Sequence, residues 1–91
     1  MTVNHHPAER RFVVALPEGE AVLEYLLEPG GIMNILSTLV PAPARGRGTG
    51  GQLAQAALEH ARAEGWRVIP SCGFVRTWMS NHPEFGPLLV S

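Results

Sequence analysis

The chain contains no lysine: all seven of its basic side chains are arginine. That absence excludes a Walker-type phosphate loop, which needs Gly-Lys-Ser/Thr ahead of its helix, and it means that any cationic site must present a planar guanidinium fork. Cysteine is nearly absent too. Cys72 stands alone, so an internal disulfide and a multi-cysteine zinc site are both ruled out. No apolar run approaches the ~18 residues that a membrane-spanning helix requires. A net charge of −1 with no basic stripe gives nucleic acid nothing to follow. The first residues, MTVNHHPAERR, lack the apolar core of a secretory signal, so the expected compartment is the cytoplasm. The neighbouring His5 and His6 are expected to be solvated on a polar arm, with no metal bound.

What is present fits one small domain of 91 residues, 45% apolar. Residues 1–9 are polar and aperiodic, which predicts a flexible N-terminal arm ahead of a single domain over 10–91. RFVVAL from Arg11 reads as a strand, PEGE as a turn, and AVLEYLL as a second strand in which Ala21, Leu23, Tyr25 and Leu27 share one face. EPGG turns the chain into a third strand, IMNILSTLVP. Loops this short cannot cross over to a parallel neighbour, so the three strands form an antiparallel meander. Beyond a glycine-rich loop, Leu53, Ala54, Ala57, Leu58 and Ala61 recur at helical spacing, with Gly65 as the stop signal. WRVIP is a short strand, expected parallel, and a C-terminal helix follows with Ser71 as N-cap and Val75, Trp78 and Met79 on one face. The expected class is α/β.

The loop RGRGTGG, Arg45 to Gly51, holds four glycines and two arginines between a strand and a helix. Such a turn points backbone N–H groups and the positive end of a helix dipole at one spot, and glycine lets an anion approach without meeting a Cβ. Phosphate or diphosphate is the natural guest, with Arg45 and Arg47 flanking it. A dinucleotide fingerprint fits less well, because the glycines follow a third, antiparallel strand and no acidic residue closes the next one.

RGRGTG over Arg45–Gly50 resembles the Arg/Gln-x-x-Gly-x-Gly/Ala signature by which N-acetyltransferases of the GNAT superfamily hold the diphosphate of coenzyme A. The resemblance extends from Ser37 to Phe85, a little over half the chain. Val40–Pro41, Ala61–Gly65, Pro70–Val75 and His82–Glu84 match the compact members of about 90–100 residues. It implies the GNAT (acyl-CoA N-acyltransferase) fold and acetyl-CoA as cosubstrate. Arg45, Gly46, Arg47, Gly48, Thr49 and Gly50 would cap the diphosphate. Leu39 and Val40 would pair with the pantetheine arm between two splayed strands, and the thioester would lie close to Ser71 and Cys72. The acceptor would be an amine, either a peptide or protein or a small polyamine, because only PEGE stands where acceptor-site helices usually lie.

Catalytic candidates are few. Ser37-Thr38-Leu39-Val40 replaces the His-Thr-Glu/x-Val usual in the compact group, and Trp78 stands where an aromatic hydroxyl is common. That leaves Cys72 as a nucleophile and His82 as a base, with Glu24 acting through water if its strand face lines the cleft. Two other functions remain open: an acyl-CoA-binding sensor without catalysis, and a general phosphate or nucleotide binder.

Overall fold

A computed structural model describes residues 2–90 of the chain. Five strands form one sheet in sequence order: β1 (Asn4–His6), β2 (Arg11–Leu16), β3 (Gly19–Glu28), β4 (Ile32–Leu39) and β5 (Arg67–Pro70). Neighbours are antiparallel except β4 and β5, which are parallel and joined through α1 (Thr49–Glu64). α2 (Gly73–Ser80) and a 3₁₀ segment over Pro83–Leu88 follow β5.

Alternation along the strands sorts side chains onto two faces. Phe12, Val14, Ala21, Leu23, Tyr25, Met33, Ile35 and Val68 point inward and join the α1 stripe and Val75 and Met79 of α2 in one buried cluster. The stripe predicted for the long helix, from Leu53 to Ala61, is wholly buried. Each large aliphatic side chain buried this way contributes roughly 1.5–3 kcal/mol. α1 ends as its sequence requires: Gly65 adopts φ 73°, and its N–H and that of Trp66 return to the Ala61 carbonyl. Both helices lie on the inner face. The outer face, carrying Glu20, Glu24 and Leu26, has no helix over it among the described residues.

The N-terminal segment differs from the flexible arm expected. Asn4, His5 and His6 pair with Val13, Phe12 and Arg11, which adds a fourth strand to the meander. The cause is His5, which points inward, stacks on Phe12 at 4.1 Å and 4°, and shares a 2.7 Å hydrogen bond with the Tyr25 hydroxyl. The His60 ring of α1 closes the cluster edge-on at 4.4 Å.

Burial first, then the neighbouring His60, His6 and Arg10, holds the His5 imidazole below its ordinary value of 6.5. Burial likewise raises the Tyr25 phenol, so Tyr25 donates to a neutral His5 Nε2. A lowered histidine value means that the unfolded chain binds the proton more readily, so stability is full above about pH 6.5 and falls as pH drops through that range. The thermal midpoint is therefore expected to fall between pH 7.5 and 5.5, and to fall less in His5→Asn, which cannot titrate. Parallel melts of the two proteins check this; equal pH dependence would remove His5 as the cause.

Candidate functional site

The site begins where the sheet comes apart. β4 pairs with β5 only from Ile32 to Ile35; there Pro70 ends the ladder and the Cys72 N–H takes the Ile35 carbonyl at 2.9 Å. On its other edge β4 is bulged: Tyr25 opposes Ile35 and Glu24 opposes Ser37, which leaves Leu36 without a partner. A bulge bends its strand and increases its twist. Leu36 to Leu39 thus run on along β3 with no β5 residue beside them.

A cleft of about 460 Å³ opens at this point. Thr38, Leu39 and Val40 form one wall, the Ala44–Gly51 loop and first turn of α1 form another, and Phe74 of α2 closes it. Gly46 and Gly48 have φ of 86° and 80°, and a Cβ on either would meet nothing within 4 Å. Both glycines therefore serve a left-handed backbone that stays bare on its open side. Gly48 is the N-cap of α1, with no side-chain cap and no acid in the first turn. The first N–H groups of a helix have no intrahelical partner, and a helix start of this kind suits an anion.

The next two glycines have another purpose. A Cβ on Gly50 would come within 2.9 Å of the Phe74 ring, and one on Gly51 within 3.0 Å of Trp78 Nε1. They let α1 and α2 approach closely, which sets Phe74 over the cleft. Phe74 was not among the residues singled out from sequence. Its 46% exposure is what marks it, since an aromatic left half-bare beside a cleft has yet to bury its face.

Seven of the expected binding residues meet in this cleft: Leu39, Val40, Arg45, Gly46, Gly48, Thr49 and Gly50. Thr49 is also buried, at 1% exposure. The two arginines part company. Arg45 lines the cleft, its Nε donating to the Val40 carbonyl at 3.2 Å. Arg47 is turned away to Glu18 in the β2–β3 turn, at 2.6 Å, and to the Pro43 carbonyl. That hydrogen bond holds the exposed Glu18 carboxyl below its usual range.

Ser71, Cys72 and His82 lie outside the lining. Ser71 does not cap α2: its hydroxyl donates to Asn34 Oδ1 at 2.6 Å, and Cys72 occupies the N-cap position. The Cys72 thiol is buried just behind the cleft wall, donating to Thr38 Oγ1 at 3.7 Å. His82 sits at the far end of α2, stacked on Trp78 at 3.6 Å with Nδ1 at 2.7 Å from the Trp78 carbonyl. Among the described residues, Arg45 is the only ionisable side chain in the lining.

Known proteins resemble this chain in sequence and fold. Residues 11–88 match the model of the family described as GCN5-related N-acetyl-transferase. Protein NATD1 of Bos taurus is 32% identical over 83 residues, covering 89% of this chain and 74% of its own length. The NMR solution structure of a GCN5-like protein from Staphylococcus aureus superposes with a TM-score of 0.78 at 24% identity, covering 99% of this chain and 88% of that one, and shares its fold. The chain belongs to the GCN5-related N-acetyltransferase family. Its five-stranded sheet and two helices form a mixed α/β fold that the Staphylococcus aureus structure shares.

Proposed function

We propose that the cleft binds acetyl-CoA and that the protein transfers the acetyl group directly to an amine. The observation that carries this reading is the junction of the bare Gly46–Gly48 loop with the parting of β4 and β5. One end offers main-chain N–H groups to a diphosphate, and the other offers an unpaired strand edge to an extended amide-bearing arm. Arg45 supplies the charge-assisted contact, and Phe74 covers the arm.

Acetyl-CoA supplies an activated thioester. The chain's own contribution is position: aligned reactants can recover about 7–11 kcal/mol of the barrier by proximity alone. A general base adds typically 10²–10⁴-fold, and the lining offers none. The amine must then lose its proton to water, so kcat/KM is expected to rise about tenfold per pH unit through pH 6–9 with no plateau below the amine's own pKa. A plateau near pH 7 would reveal a base that this reading omits.

Direct transfer is proposed over an acetyl-cysteine route because the Cys72 sulfur is directed at Thr38 inside the wall. Incubation with acetyl-CoA alone, followed by mass spectrometry, is expected to leave Cys72 unmodified. Acetyl on its sulfur would replace direct transfer by the covalent route.

Titration calorimetry with CoA, ATP and NAD tests the binding half, and thiol release in an amine panel tests the transfer half. Preference for ATP or NAD overturns the reading. Tight CoA binding with no thiol release for any amine favours a second function, an acyl-CoA sensor, which the lack of a base in the lining also supports.

A further inference from the structure

The outer face of the sheet carries a combination of groups that acetyl-CoA binding does not use. Strand alternation places Glu20, Glu24, Leu26 and Glu28 of β3 on this face, and the pairing adds Arg11, Asn34, Ser37 and Leu39. Leu26 and Leu39 are 50% and 62% exposed, and the bulged Leu36 is 43% exposed. Successive carboxylates along β3 stand about 13 Å apart, at four residues per step.

The charges here are unbalanced. Arg11 is shared between Glu9 at 3.5 Å and Glu20 at 3.7 Å, and Arg67, which β5 brings to the same face beside Ile32, donates to the Leu89 carbonyl at 3.0 Å. Glu28 accepts the Asn34 amide at 2.8 Å. Glu24 lies between Arg11 on β2 and Ser37 on β4, exposed, its carboxylate with no side-chain hydrogen bond or ion pair among the described residues. The face is also continuous with the cleft, because Leu39 belongs to both.

Resting on the acetyl-transfer reading, we propose that this face docks the acceptor as an extended basic polypeptide segment, with Glu24 holding a cationic side chain next to the lysine delivered at Leu39. Exposed leucines beside carboxylates suit lysine and arginine, whose long apolar stems lie along hydrocarbon while their heads reach an acid. A segment in extended form can follow β3 and engage more than one of its acids. A second copy of this chain is the poorer occupant, since two such faces would set Glu20 and Glu24 against their own kind.

The test uses isotope-labelled protein with bound CoA and three probes: a blocked pentapeptide with a central lysine between arginines, its counterpart with glutamates in place of the arginines, and spermidine. The basic peptide is expected to shift the amide resonances of Glu24, Leu26, Leu36 and Ser37, to bind about tenfold tighter than the acidic one at low salt, and to lose that advantage as salt rises. Glu24→Lys is expected to weaken it several-fold, read in Kd by NMR and in KM rather than kcat during turnover, while a CoA titration of the variant reports its folding.

Equal binding of the two peptides overturns the proposal, as does preference for spermidine, no effect of Glu24→Lys, or concentration-dependent shifts on this face without peptide, which would identify a second copy as its cover. Loss of CoA binding in the unmodified protein sinks the acetyl-transfer reading and this inference together. Retained CoA binding without a peptide preference sinks the inference alone.

Discussion

Gly48→Glu is expected to weaken CoA binding by at least about 100-fold. The residue has φ 80° and caps α1, and the space where a side chain would start is open. Glutamate would send its carboxylate into the region proposed for the diphosphate. Two like charges at about 4 Å repel by roughly 4 kcal/mol at an effective dielectric constant near 20, and every 1.4 kcal/mol is about tenfold in affinity. Even after partial relaxation, two orders of magnitude remain. The left-handed backbone adds a separate cost of about 1–2 kcal/mol in stability for a residue with a Cβ. Gly48→Asn isolates that cost, because asparagine tolerates this conformation and brings no charge. Calorimetry should find the asparagine variant within about tenfold of the parent. Equal affinity in the glutamate variant would place the diphosphate elsewhere.

Leu58→Ala is expected to lower the thermal midpoint by about 10–30 °C. Leu58 is fully buried where α1 crosses the sheet, among residues from β2, β3, β4 and β5. Removing a buried leucine costs about 2–5 kcal/mol once the residual cavity is included. Against a total stability of roughly 5–15 kcal/mol, that is a large share, and in a small domain each 1 kcal/mol moves the midpoint by about 4–8 °C. Leu39→Ala supplies the contrast: Leu39 is 62% exposed, and its loss should stay within about 0.5 kcal/mol. Circular dichroism melts of both variants check the pair. A shift for Leu58→Ala no larger than that for Leu39→Ala would mean that α1 does not anchor the core as described.

Those two leucines also mark how far sequence reading reaches. The period of Leu53, Ala54, Ala57, Leu58 and Ala61 reveals a helix and its buried side, because one helical face is set by local geometry. The three-strand meander and the parallel strand after α1 were legible for a related reason: turn residues and loop lengths restrict which strands can pair. β1 was missed because Asn4, His5 and His6 carry no apolar alternation. His5 becomes an inward residue only through rings contributed by Phe12, Tyr25 and His60, from three other elements.

The candidate site divides in the same way. A backbone that is free to be left-handed and bare can be read from glycines alone, and Gly46 and Gly48 both have positive φ and line the cleft. Where a long side chain goes depends on neighbours distant in the chain. Arg47 was expected beside the anion but is held by Glu18, 29 residues earlier, and Ser71 was expected to cap a helix but bonds to Asn34, 37 residues earlier. Gly50 looks in sequence like part of the anion loop, yet its missing Cβ also makes room for Phe74.

By itself the sequence determined the order of elements, the buried stripe of α1 and the loop able to meet an anion, because these follow from periodicity and backbone freedom over a few residues. Only the tertiary structure decided that β1 docks, that β4 bulges and parts from β5, that Arg47 leaves the cleft while Phe74 enters it, and that the sheet keeps a bare acidic face. Each of those outcomes is a contact between segments far apart in the chain, selected by which buried surfaces fit together rather than by any local preference.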